Sequence, residues 1–97
     1  MMGILEVEFP QPATITVLAK TARSMPGTVI QCAGREMVVR AESPVGIYMP
    51  LQVVFGRYMA LSEVLEEEVT PEGVVIVAAI AHLLDLERAP VHSRFWS

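Results

Sequence analysis

Cysteine, lysine, tryptophan and histidine are all scarce in this chain. Its 97 residues hold one Cys, one Lys, one Trp and two His. A single cysteine, Cys32, rules out an internal disulfide, and one Cys with two His is short of a zinc ligand set. A reducing, cytoplasmic setting is expected. One Lys and six scattered Arg do not make the dense basic face that nucleic-acid binding needs. The start, Met-Met-Gly-Ile-Leu-Glu-Val-Glu, has no basic leader region. The longest apolar run, Val74 to Leu84, contains His82 and is about half of the roughly 20 residues a membrane helix requires. No nucleic-acid partner, membrane insertion, cofactor or metal is expected.

Apolar residues, in contrast, are plentiful. Hydrophobic residues are 53% of the chain and charged ones 19%, against a usual charged share of about 25%. One domain of this length has little interior, so part of the apolar excess is expected at the surface, where it points to self-association. The net charge of −4 is uneven. Residues 1–59 carry Lys20, Arg23, Arg35, Arg40 and Arg57 against Glu6, Glu8, Glu36 and Glu42. Residues 60–97 carry only Arg88 and Arg94 against Glu63, Glu66, Glu67, Glu68, Glu72, Asp85 and Glu87.

Alternation along the chain predicts a mainly β domain spanning 1–97. Residues 4–9, 13–19, 28–33, 36–42 and 47–56 read as strands, from period-2 patterning or β-branched content. Pro26-Gly27, Ala33-Gly34-Arg35, Ser43-Pro44-Val45-Gly46 and Thr70-Pro71-Glu72-Gly73 read as turns. Residues 59–69 fit either a helical face (Leu61, Leu65, Val69) or a strand. Residues 74–79 read as a strand rather than the start of a helix over Thr70–Arg88, because the segment is rich in β-branched types. A short helix is then expected over 80–88. The whole is a small antiparallel barrel of about six strands with a C-terminal helix.

The segment Gln31-Cys32-Ala33-Gly34-Arg35-Glu36-Met37-Val38-Val39 resembles the Asp/Asn-x-Ser-x-x-Gly segment of the PilZ domains. The following turn Pro44-Val45-Gly46, the strand Leu51 to Phe55, the stretch Leu61-Ser62-Glu63-Val64 and the apolar segment Val74 to Leu86 also follow that family's order. The resemblance covers roughly residues 13–88, with 89–97 as a tail. It implies a six-stranded barrel in bacterial signalling. The family's binding of cyclic di-GMP relies on an Arg-x-x-x-Arg pair and the Asp/Asn-x-Ser-x-x-Gly motif. The pair has no counterpart here, since nothing before Lys20 is basic. In the motif, Gln31, Ala33 and Glu36 replace the acid or amide, the Ser and the Gly.

Those replacements are costly for a dinucleotide. Arginines would supply bidentate bonds to phosphate and stacking on guanine. Ala33 has no hydroxyl, and Glu36 adds bulk and a like charge. One such charge pair at about 4 Å opposes binding by ~1 kcal/mol in water and by several times that at a drier site. The expectation is a non-catalytic PilZ-like interaction module that has lost cyclic di-GMP binding. The alternative is a receptor that still binds cyclic di-GMP or another anion, with Arg35 and Arg40 as the candidate anion contacts.

Other clusters have plainer readings. Cys32 with His82 or His92 lacks an activating motif and reads as a small buried residue. Glu63, Glu66, Glu67, Glu68 and Glu72 read as a solvated hairpin that resists edge pairing. Arg57 joins Arg35 and Arg40 as scattered surface charge. Phe95 and Trp96 are costly to leave in water and are the interface candidates.

Overall fold

The computed structural model describes residues 7–87. Six strands run in chain order: β1 Gln11–Val17, β2 Arg23–Ala33, β3 Glu36–Ala41, β4 Pro50–Phe55, β5 Tyr58–Thr70 and β6 Gly73–Asp85. They close into a barrel in the order β1-β2-β3-β6-β5-β4, with every neighbouring pair antiparallel. The β-branched alternation read from the sequence makes the inner wall. Ile15, Val29, Met37, Val39, Leu51, Val53, Val64 and Ile76 are fully buried. Each such side chain contributes roughly 1.5–3 kcal/mol of burial.

Three bulges keep this alternation pointing the right way. In β2 the register shifts between Val29 and Gln31, so Ile30 is the extra residue and Cys32 returns to the inner face opposite Met37. In the β5–β6 pair one shift falls at Leu61/Ser62, where Ala81 is the extra residue. The other falls between Val64 and Glu66. With Leu65 extra, Glu66 sits opposite the outward Val77, and Glu67 opposite the buried Ile76.

The two mouths of the barrel are closed differently. At one, the β3–β4 connection, residues 42–49, lays the buried Val45 over the core. At the other, Phe9 meets Phe55 at 6.2 Å between ring centroids, and Phe55 meets Tyr58 at 5.8 Å.

Several expectations are corrected. Residues 80–85 continue β6, and 86–87 form a turn, so the helix expected over 80–88 is not there within the described residues. Its apolar spacing is that of a bulged strand: Ile80 and Leu83 face inward across the extra Ala81. The ambiguous stretch 59–69 is strand. The first strand is absent over 7–9, and residues 4–6 lie outside the described residues. Pro26-Gly27 is not a turn but the middle of β2, paired with Thr14 and Ala13. Gly27 is there for space. A Cβ would run into Ile15 Cδ1 and lie 2.6 Å from the Arg40 carbonyl oxygen. The turns at Gly34 and Gly73 stand as read, with φ of 63° and 136°.

Candidate functional site

Gln31, Ala33 and Glu36 come together on the outer face of the barrel, at the end of the β2–β3 hairpin. Gln31 pairs with Val38, and Ala33 with Glu36, across the turn at Gly34. All three are exposed. The hairpin tip is open, since nothing lies within 4 Å of a Cβ built on Gly34. No hydroxyl stands at Ala33, and the Glu36 carboxylate has no ion-pair partner among the described residues.

The three arginines do not converge. Arg35 and Arg40 sit at opposite ends of β3, about 17 Å apart along the strand at some 3.3 Å per residue. Arg35 is exposed in the turn, and its carbonyl accepts the Ile80 N–H at 2.7 Å. Arg57 lies in the β4–β5 turn, at the mouth closed by Phe55 and Tyr58, with β6 and β5 between it and the β2–β3 turn of Arg35. It pairs with Asp85 at 2.9 Å and Glu87 at 3.4 Å, and its guanidinium lies 5.4 Å from the Tyr58 ring centroid.

Arg40 is the arginine with chemistry left over. Its stem lies beside Gly73, and its Nε is buried with no hydrogen-bond partner among the described residues. It borders an open depression of about 610 Å³ lined by Gly27, Thr28, Pro71 and Gly73. Glu42 and Glu72 line the same depression. One guanidinium against two carboxylates leaves it net negative, a poor cradle for a phosphodiester.

The acidic run on the β5–β6 hairpin divides in two. Glu66 and Glu68 are exposed on the outer face. Glu67 is turned inward by the bulge at Leu65 and accepts the backbone N–H groups of Val45, at 2.6 Å, and Gly46, at 3.2 Å. It therefore holds the connection that closes one mouth of the barrel. Sequence reading missed this role, because the signal was only an acid near two glycine-turn amides distant in the chain. Among the described residues no three His, Cys, Asp or Glu side chains are grouped to hold a metal.

Cys32 is half-buried against the core, and burial pushes its thiol above the ordinary range. That weakens it as a nucleophile at neutral pH. His82 is exposed on β6 opposite Leu61. His92, Phe95 and Trp96 lie outside the described residues.

A second depression, about 440 Å³, runs over the outer face of β5 and β6. It is lined by the apolar side chains of Ile47, Leu65, Val75 and Val77 and by Glu66, Glu67 and Glu68. The structure therefore defines a class, a closed six-stranded antiparallel β-barrel with an outer groove lined by both apolar and acidic side chains. Comparison of the chain with family models, with curated proteins and with solved structures gave no match.

Proposed function

We propose that this protein is a non-catalytic, PilZ-like interaction module for signalling that acts through protein contacts and does not bind cyclic di-GMP. The observation that carries the reading is the outer hairpin tip. Gln31, Ala33 and Glu36 stand together there, where the family motif would present an acid or amide, a hydroxyl and a glycine. A strand hairpin in this place agrees with the resemblance, and the side chains on it oppose a dianionic ligand. The exposed Ile47 and Tyr48, beside the outer groove, agree with a role played by surface contacts.

The receptor alternative loses its geometry, because Arg35 and Arg40 stand at opposite ends of β3. One favourable feature remains for it, the unpartnered Nε of Arg40. Calorimetric titration of the full chain with cyclic di-GMP separates the two readings. No heat of binding up to about 100 μM nucleotide is expected. Micromolar or tighter binding, abolished by Arg40→Ala, would establish the receptor instead.

A further inference from the structure

Acidic charge in the sheet is confined to one wall of the barrel. Strands β1, β2 and β4 contain no Asp or Glu. The acids lie on β3, β5 and β6, which are neighbours in the barrel. On that wall Glu36, Glu63, Glu66 and Glu68 are exposed, and none has an ion-pair partner among the described residues. Arg40 is the one Arg or Lys on these three strands. The wall therefore carries a negative potential that draws cations in.

The same wall presents apolar side chains. Register places Val75 between Arg40 and Glu68, and Val77 between Val38 and Glu66. Ile47, 48% exposed, lines the depression with them, and Tyr48 next to it in the chain is 69% exposed. Tyr48 is held at φ 67°, a conformation bulky residues rarely adopt. Two backbone bonds to β5 hold this corner. Tyr48 N–H donates to the Val64 carbonyl at 2.7 Å, and Val64 N–H donates to the Met49 carbonyl at 3.1 Å. Strained backbone that keeps two large apolar side chains in water is the pattern of a contact surface.

Charge decides what can sit there. A second copy offering the same face would set these carboxylates against their own kind. The opposite wall of a second copy fits no better. Its strand cation is Arg23, which already donates to the Ser43 hydroxyl and the Pro44 carbonyl, and Lys20 stands in the adjoining connection. Nucleic acid and anionic lipid surfaces are repelled. A small polyamine would answer the carboxylates and leave the valines bare. A peptide segment in which Lys or Arg alternate with bulky apolar side chains answers both.

We propose that the groove lined by Ile47, Leu65, Val75 and Val77 binds a cationic, apolar-rich segment of a different protein, with the segment's Lys or Arg side chains on Glu66 and Glu68. This deepens the interaction-module reading and rests on it, by naming the surface and the chemistry of the partner. The nucleotide titration tests the β2–β3 hairpin tip instead, so each idea can fail without the other.

The probe is a synthetic peptide, Lys-Leu-Arg-Phe-Lys-Leu-Arg-Phe-Lys, titrated calorimetrically into the full chain. Saturable binding is expected below about 100 μM. It should weaken at least tenfold when the peptide's Lys and Arg become Glu, and again when its Leu and Phe become Ser. Glu66→Gln with Glu68→Gln should weaken it at least tenfold, and so should Ile47→Ser, with circular dichroism unchanged. Thr14→Lys is the control. Thr14 is exposed on β1, three strands from β6 either way round the barrel, and the change should leave affinity within twofold. No binding up to about 1 mM peptide would overturn the proposal. So would binding that ignores the Glu66/Glu68 change or survives the loss of the peptide's apolar residues. A full-chain oligomer that the peptide dissociates would give the groove to a second copy. A red shift of the emission of Trp96, the only tryptophan, on peptide binding would give it to residues 88–97. Either result also overturns the proposal.

Discussion

The Glu67 carboxylate accepts the backbone N–H of Val45 at 2.6 Å, across a sequence separation of 22 residues. This bond fastens the 42–49 connection over the barrel mouth. Arg23 helps from the other side, donating to the Pro44 carbonyl at 2.9 Å. Replacing Glu67 with Gln weakens a charge-assisted acceptor and should cost about 1.5–3 kcal/mol. Glu66→Gln, on the exposed face, should stay within about 0.5 kcal/mol of the parent. Urea unfolding of both variants is the measurement. Equal losses would mean that the acidic run acts by total charge and not through this bond.

Gly27 and Gly34 offer a paired contrast. At Gly34 a Cβ meets open space, so Gly34→Ala costs only the left-handed backbone conformation, about 1 kcal/mol. At Gly27 a Cβ meets Ile15 and the Arg40 carbonyl, and backbone yields poorly. Gly27→Ala should cost more than Gly34→Ala, by roughly 1–3 kcal/mol of overpacking. Thermal melting of the two variants side by side tests the order.

Cys32 predicts a pH dependence. Burial raises its folded-state value above that of the unfolded thiol, near 8.5. Stability from the neutral thiol is therefore complete below the unfolded value and is lost as pH rises toward the folded one. Melting temperature should fall from pH 8 to 10, and Cys32→Ala should flatten part of that fall. Iodoacetamide should label native Cys32 more slowly at pH 7.5 than it labels the urea-unfolded chain. Faster labelling of the native protein would reveal an activated thiol.

Five of the six strands were legible because one face of each reads apolar at period 2 or the run is β-branched. The inner-face pattern Met37, Val39, Ala41 is a clear case. Illegible features share a cause: they depend on what lies across the barrel. Pro26-Gly27 carries the local chemistry of a turn, yet Gly27 is required because Ile15 and Arg40 crowd it from neighbouring strands. Leu83 and Leu84 have helical spacing, but the extra Ala81 lets Leu83 pack inward as strand. The motif positions Gln31, Ala33 and Glu36 were readable as a hairpin end, since they are local. The groove was not, because Ile47, Leu65 and Val75 come from three separated segments and Glu66 faces outward beside them only through a bulge.

Closure of the barrel also bears on what happens when the fold is lost. Residues 74–81, Val-Val-Ile-Val-Ala-Ala-Ile-Ala, carry no charge and no proline and are rich in β-branched types, the composition of a cross-β zipper. In the folded chain this segment is paired with β5, and its 74–79 portion also with β3, so most of it has no bare edge to template growth. The acids at Glu66, Glu67, Glu68 and Glu72 precede it like gatekeepers against amyloid stacking. The strand that completes the barrel is thus also the one whose release would seed a fibril.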